Sequence, residues 1–430
     1  MSQHTSEHNK ELAPKVALLH RRHAKGHGKR ANALLIAVLV FLGFAAWHFN
    51  ADSLQRWYYS RQTTQVLLKN AQANPTNLVL LELTGERLLE EGRPDDCAAL
   101  MTTALQTYPN SSKLNLLAGR AAMARAEWKR AAALLNAALQ AAPQSPDVLF
   151  WSAELLYQRG RKQMAEQILR DVTRLAPERA DAWRRLGEIA LTAQDYVGAL
   201  KNFEEAKRRD PSAQIALLRA QTLHKLGKLK DAEAAVNESL KLEPSATGYA
   251  LLGEIIQATP GADSLKKARG YLQKAVDSDP GNVDTLKLLA LNYRAGGEHR
   301  QAVNVLRHLI QLDPATSENY FLLSQSYAAL KRASLSKATL AIFNALAPLQ
   351  QKADAAQHRV VIERGSLSSQ LAQARLLLKM GREDMARIVL NRAKAKAPDH
   401  PEITRLLTLA QGPMSLKIPP LPPDAEAEAL

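Results

Sequence analysis

Residues 31–49 contain the longest apolar run of the chain, residues 33–46, and no charged side chain lies between Asn32 and Trp47. A helix of about 17 to 19 residues, at about 1.5 Å per residue, is roughly 25–28 Å long, which is close to the thickness of a bilayer core. A helix that packs on a soluble core would instead show polar positions every three or four residues. The pattern therefore predicts a transmembrane anchor over residues 31–49.

Lys and Arg flank this apolar run unequally, because five lie in residues 21–30 and one lies in residues 50–59. Basic residues accumulate on the cytoplasmic side of a membrane span. We therefore expect residues 1–30 to be a basic cytoplasmic tail and the repeats to be extracytoplasmic, or periplasmic if the chain is bacterial. Two alternatives stay open: a signal peptide cleaved near the small residues 43–45, and a helix buried in a soluble core.

Beyond the apolar run the pattern changes to short amphipathic segments that end at regularly spaced prolines. The spacings between these prolines are 34, 34, 34, 34, 33, 36, 34 and 34 residues, and small residues and glycine-containing turns recur between them. Each unit therefore predicts a helix A, a tight turn, a helix B and a proline that cannot continue the helix. The prolines are Pro75, Pro109, Pro143, Pro177, Pro211, Pro244, Pro280, Pro314 and Pro348.

One unit, "ADAWRRLGEIALTAQDYVGALKNFEEAKRRDP" at residues 180–211, resembles a tetratricopeptide repeat (TPR). The neighbouring units match that family mainly through the small residues and the proline, over residues 78–400. The resemblance implies an all-α fold, a right-handed α-solenoid of about nine TPR helix hairpins, and the apolar run predicts that a single transmembrane helix precedes it. The residues at the signature positions of the family are Trp183, Leu186, Gly187, Tyr196, Ala199, Phe203, Ala206 and Pro211.

The spacing of the units also predicts how the chain is organised. Because 50 residues separate Pro348 from Pro398, an additional helical segment is expected between them. The Pro-rich end is expected to be disordered, and a role as a Pro-rich ligand stays open. The predicted segments are a linking helix at 50–77, repeats one to eight at 78–348, a helical insertion at 349–366, a ninth repeat with a capping helix at 367–412, and the tail at 413–430.

The net charge of +15 changes this interpretation little, because residues 1–30 account for +5 and the remaining 400 residues for +10. A nucleic-acid-binding protein would cluster its basic residues on one face or interleave them with aromatic residues for stacking. Neither pattern occurs in the sequence. We therefore expect no nucleic-acid partner.

No sequence motif for catalysis or for a cofactor occurs in the chain. A phosphate-binding loop, a nucleophile elbow and an HExxH pair are all missing, and the single cysteine, Cys97, is expected in the core. The segment from His20 to His27, "HRRHAKGH", could hold a metal loosely, but a basic tail near anionic lipid is the interpretation we prefer. The sequence therefore predicts a protein that is not an enzyme and has no cofactor or metal site.

The family resemblance implies a binding surface. In this family the second, fifth, ninth and twelfth positions of helix A line the concave side, which we call the A-helix face. Mixed charges with Phe and Tyr suit an extended peptide or a partner helix, whereas the recurring Lys and Asn with which the family clamps a C-terminal carboxylate are missing. The predicted partner-binding residues are Lys113, Arg120, Phe150, Glu154, Tyr157, Arg184, Glu188, Lys287, Arg294, Phe321 and Gln325.

These features together predict a membrane-anchored scaffold or adaptor that binds protein or peptide partners in envelope assembly, secretion or polymer export. Two alternatives stay open. One is a translocon- or biogenesis-associated chaperone that holds emerging polypeptides. The other is a glycan-binding module of a polysaccharide export system, in which Phe150, Tyr157 and Phe321 would contact the sugar.

Overall fold

The computed structural model describes residues 53–259, 261, 263–363, 365–411, 421, 423 and 424. Every regular element within these residues is an α-helix, and they contain no β-strand. The predicted all-α class is therefore confirmed for this part of the chain. The predicted anchor at 31–49 and the basic tail lie outside the described residues, and none of the helices inside them is long and apolar enough to span a membrane.

The chain divides into two compact units, residues 1–177 and 178–430. In the described part of the first unit, successive helices pair as antiparallel hairpins with a 13-residue helix A and a 14-residue helix B. Its helices are α1 (53–60), α2 (Thr64–Ala73), α3 (Leu78–Glu90), α4 (Pro94–Thr107), α5 (Ser112–Ala124), α6 (Trp128–Ala141), α7 (Pro146–Gln158) and α8 (Lys162–Leu175).

The second unit continues the same alternation. Its helices are α9 (Ala180–Thr192), α10 (Tyr196–Arg209), α11 (Ala213–Lys225), α12 (Leu229–Leu242), α13 (Ala246–Ala258), α14 (Ser264–Ser278), α15 (Val283–Ala295), α16 (His299–Leu312), α17 (Ser317–Ala329), α18 (Ala333–Ile362), α19 (Leu367–Lys379), α20 (Glu383–Lys394) and α21 (Pro401–Leu409).

Most of the turns inside the hairpins contain a residue with a left-handed φ, which is glycine in several hairpins and Ala126, Gln194 or Lys331 in three others. Between α3 and α4, Gly92 adopts a left-handed φ of 69°, which glycine reaches without steric cost. The amide of Arg93 then donates to the carbonyl of Leu88 at 2.8 Å, and this bond closes the end of helix A. The chain therefore reverses within a few residues and helix B packs back on helix A.

The small residues of the pattern lie where the two helices of a hairpin approach most closely. A Cβ atom built on Gly187 in α9 would lie 2.5 Å from Cε1 of the buried Phe203 in α10. In the first unit, a Cβ atom on Gly119 would lie 2.9 Å from Cγ of Leu135. The recurring small residue of helix A is therefore a packing requirement imposed by the large side chain of helix B.

The segment predicted as one linking helix at 50–77 contains two helices in its described part, α1 and α2. They are separated at residues 61–63, where Thr63 takes an extended conformation as the N-cap of α2. The break places Leu67 and Ala71 in the core formed with α3, where both are fully buried. Burial of this apolar face accounts for the bend.

The predicted stop at Pro348 is wrong, because α18 runs as one 30-residue helix with this proline inside it. Pro348 has no N–H and therefore leaves the carbonyl of Asn344 without its usual helical donor. The helix continues because Ala353 and Ala356, beyond the proline, remain buried. The helical insertion predicted at 349–366 is thus the continuation of α18 to Ile362.

The C-terminal part of the second unit has a further hairpin and a single helix. Helices α19 and α20 form the hairpin, and α21 contributes the buried Ile403 and Leu406 to their core. Three residues of the tail that was predicted to be disordered are described, and one of them, Asp424, is only 3% exposed. This segment of the tail therefore packs on the repeats.

Candidate functional site

In the first unit, Arg120 on the A-helix face stacks on the ring of Trp151. The Cζ atom of Arg120 in α5 lies 4.4 Å from the ring centroid of Trp151 in α7. Burial lowers the pKa of Arg120, while the nearby carboxylates of Glu86 and Asp147 act in the opposite direction. Nε of Arg120 is buried without a hydrogen-bond partner among the described residues. This guanidinium is held by stacking and by diffuse attraction to acids.

The other predicted residues of the first unit differ in how accessible they are. Phe150 and Glu154 in α7 are only 4% and 5% exposed, and Phe150 packs edge to face on Trp151 at 5.6 Å. Lys113 forms a 2.5 Å ion pair with Glu86, which ties α5 to α3. Phe150 and Glu154 are therefore buried beneath the A-helix face and offer little surface to a partner.

In the second unit, an open cleft of about 440 Å³ lies on the A-helix face across α9, α11 and α13. Leu191 and Leu251 provide its apolar surface. Polar side chains of both signs of charge also line it: Gln221, His224, Glu254, Lys225, Thr192, Gln194 and Tyr196. An open cleft that offers apolar surface and several polar groups can receive a ligand.

None of the predicted partner-binding residues lines this cleft, although three of its polar residues follow the positional rule. Gln221 and His224 are the ninth and twelfth residues of α11, and Glu254 is the ninth residue of α13. The positional rule was not carried through these two helices, because the units that contain them have 33 and 36 residues instead of 34. Counting from the first residue of each helix A would have found all three.

The residues that were predicted in the second unit mostly form ties within or between repeats. The carboxylate of Glu188 in α9 accepts from Arg184 at 2.5 Å and also from Arg185. Lys287 in α15 pairs with Glu318 in α17 at 2.6 Å. The Glu188 contacts lie within α9, whereas the Lys287–Glu318 pair connects two successive helices A.

Two further predicted residues lie on α17. The side chain of Gln325 accepts a hydrogen bond from Arg294 of α15. Phe321 is 37% exposed and stacks on Phe343 of α18 with ring centroids 5.1 Å apart. Phe321 therefore offers apolar surface at this end of the A-helix face. In the first unit, the ring centroid of Tyr157 lies 5.9 Å from Nζ of Lys162.

The described residues contain neither an accessible thiol nor a group of side chains that could hold a metal ion. Cys97 is fully buried, as predicted, and burial raises the pKa of its thiol to about 12. No group of three or more His, Cys, Asp or Glu side chains in the described part could hold a metal ion. The histidines from His20 to His27 lie outside it.

Comparison with known proteins addresses the identity of the repeats. Family models of the tetratricopeptide repeat match residues 88–141, 122–188 and 195–249. No curated protein matches the chain.

Three solved structures are among those to which the chain shows similarity. PilF of Pseudomonas aeruginosa is 20% identical, with 49% of this chain and 95% of that chain covered and a TM-score of 0.45. YrrB, described as a TPR protein with an unusual peptide-binding site, is 18% identical over 42% and 92% of the two chains, with a TM-score of 0.36. Human IFIT1, solved as a dimer with PPP-AAAA, is 16% identical over 77% and 86%, with a TM-score of 0.43.

Identities and TM-scores as low as these do not bear on function, and the identification rests on the family models and on the hairpins described above. Residues 88–188 and 195–249 of this chain form tetratricopeptide repeats.

Proposed function

We propose that this chain is a non-enzymatic scaffold that binds a segment of a partner protein through the A-helix face of its repeats, and that residues 31–49 tether it to a membrane. The observation that carries the binding proposal is the open cleft across α9, α11 and α13, which is lined by Leu191 and Leu251 and by polar side chains that include Gln221, His224, Lys225 and Glu254. An anchored binding surface of this kind suits recruitment of proteins in envelope assembly, secretion or polymer export.

The dimensions of the cleft favour an extended peptide. Packed helices lie about 8–10 Å apart, so a cleft that crosses three successive helices A is roughly 16–20 Å long. An extended chain rises about 3.3 Å per residue, so about five or six residues would fill it. The Glu254 carboxylate would attract a basic side chain and the Lys225 ammonium an acidic one, and Leu191 and Leu251 would receive an apolar side chain.

The test is recovery of partners by full-length chain that carries Glu254→Lys. We expect this charge reversal to lower recovery of the main partner at least ten-fold in a quantitative affinity capture from membranes, because it places like charge against the partner's basic side chain. Glu243→Lys is the matched control, since Glu243 is exposed at the end of helix α12. Equal recovery by both variants would contradict the proposed site.

The same capture separates the alternative ligands. A chaperone for emerging polypeptides would recover many unrelated unfolded chains, and a glycan-binding module would be retained on polysaccharide without protein. We expect one or a few defined partners.

The tether is tested separately, by alkaline extraction of membranes that contain the full-length chain. We expect the chain to stay with the membrane pellet. Release of full-length chain into the supernatant would contradict the anchor and leave the binding proposal unaffected.

A further inference from the structure

The C-terminal tail places a buried carboxylate among basic and phenolic side chains of the second unit. Oδ1 of Asp424 accepts a hydrogen bond from Nη1 of Arg332 at 2.6 Å, between residues 92 positions apart, and Asp424 is 3% exposed. Tyr327 in α17 is fully buried beside it. The phenol of Tyr327 in turn accepts from Nη1 of Arg307 in α16 at 3.3 Å.

Electrostatics supports the close approach of these groups. Burial raises the pKa of the Tyr327 phenol, and the Asp424 carboxylate raises it further while Arg307 acts in the opposite direction. A buried carboxylate is stable only where positive charge and hydrogen bonds compensate for lost water. Side chains from α16, α17 and the N-cap of α18 supply that compensation, so the repeats themselves form a pocket for an acid.

An apolar subsite lies next to the acid pocket. Leu421 packs on the buried cluster formed by α16, α17 and α18, which includes Leu323 and Tyr327. Pro423, between the two anchors, is exposed. The tail therefore presents two inward side chains, an apolar residue and an acid three positions later.

The Asp424 carboxylate does not form all of its possible hydrogen bonds in the acid pocket. Oδ2 of Asp424 is buried without a hydrogen-bond partner among the described residues, although a buried carboxylate oxygen normally has one. Among the described residues the tail carboxylate is therefore hydrogen-bonded through Oδ1 only. This argues that the tail is a replaceable occupant.

We propose that the surface formed by Arg332, Tyr327 and the adjoining cluster binds an extended segment of a partner protein, with an apolar residue three positions before an aspartate, and that the tail covers this surface in cis. The inference rests on the proposed function in so far as the ligand is a partner protein. It adds a second peptide site, at a different place from the cleft across α9, α11 and α13.

The test uses a fluorescein-labelled peptide of residues 417–425, KIPPLPPDA, and fluorescence anisotropy. One protein is the unchanged full-length chain, and the other is the full-length chain with Leu421→Ala and Asp424→Asn. A tethered ligand competes at an effective concentration on the order of millimolar. We therefore expect the substituted chain to bind the probe at least ten-fold more tightly than the unchanged chain.

The matched control changes the probe and leaves the protein alone, so a loss of folding cannot mimic the result. A probe with Asn in place of the aspartate should bind the tail-substituted chain at least ten-fold more weakly, because Arg332 loses its charged partner. Adding Arg332→Gln to that chain should remove the difference between the two probes.

Three outcomes would each overturn the inference: equal affinity of the two chains, equal affinity of the two probes, or no binding by the tail-substituted chain. If partner capture still depended on Glu254 in any of these cases, the proposed function would stand without this second site.

Discussion

Substitution of Gly187 by Ala adds one methyl group at the closest approach of α9 and α10. The new Cβ would lie 2.5 Å from Cε1 and 2.6 Å from Cδ1 of Phe203. Carbon atoms prefer separations of about 3.5–4.0 Å, so the ring or the helix would have to move by about 1 Å. Because Phe203 is fully buried, its ring has no free space to enter.

The magnitude follows from two opposing effects. Ala is about 1 kcal/mol more favourable than Gly inside a helix, whereas overpacking a core costs about 1–3 kcal/mol. A rigid ring at this distance places the cost at the upper end, so we expect the free energy of unfolding to fall by about 1–2 kcal/mol. Gly270→Ala in α14 is the matched control, because a Cβ atom there would have no neighbour within 4 Å. It should stabilise by about 1 kcal/mol.

Urea unfolding followed by far-UV circular dichroism gives the global effect of each substitution. Amide hydrogen exchange of α9 and α10 gives the local one, because neighbouring repeats stabilise each other mainly through direct contact. Phe203→Leu should partly rescue Gly187→Ala, as a favourable coupling energy in a double-mutant cycle. If Gly187→Ala stabilised the protein as much as Gly270→Ala, the proposed contact between the two helices would be refuted.

Further predictions concern the buried Cys97 and Tyr320 and the proline inside α18. Cys97 should react with a thiol reagent at about pH 8 roughly a thousand-fold more slowly in the native chain than in urea. The free energy of unfolding should fall as pH rises from 9.0 towards about 12, because burial raises the pKa of the Cys97 thiol and the unfolded chain loses the proton first. Burial also raises the pKa of Tyr320 from 10.0 to about 12, which adds to this loss, and unchanged stability between about pH 8 and 11 would contradict both effects. Pro348→Ala should slow amide exchange in the middle of α18, because the new N–H can donate to the carbonyl of Asn344. Pro94→Ala at the start of α4 is the control and should have little effect. Equal effects of the two substitutions would contradict the assignment of Pro348 to the helix interior.

The repeats were predictable because their packing leaves a mark at fixed sequence positions. Gly187 must be small where Phe203 meets it, and Gly92 must reach a left-handed φ where the hairpin turns. Requirements of this kind recur with every hairpin and so create a period. Pro348 was misinterpreted because a local rule favours a helix end, whereas burial of Ala353 and Ala356 beyond it decides the outcome.

The site was less predictable than the fold, because exposure depends on neighbours in space. Repeat position brings Phe150 to the A-helix face, but contact with Trp151 and the surrounding side chains leaves it only 4% exposed. His224 follows the same positional rule and was missed through the irregular unit lengths. The contact of Asp424 with Arg332 spans 92 positions and has no local sequence signal.

The central claim is that partners bind on the A-helix face at the cleft across α9, α11 and α13. The most direct measurement is photocrosslinking in intact cells, with benzoylphenylalanine placed at His224 in the cleft or at Val197, which is 71% exposed on helix B. The account predicts adducts of discrete mass from position 224 and none from position 197. Equal adducts from both positions, or none from position 224, would contradict it.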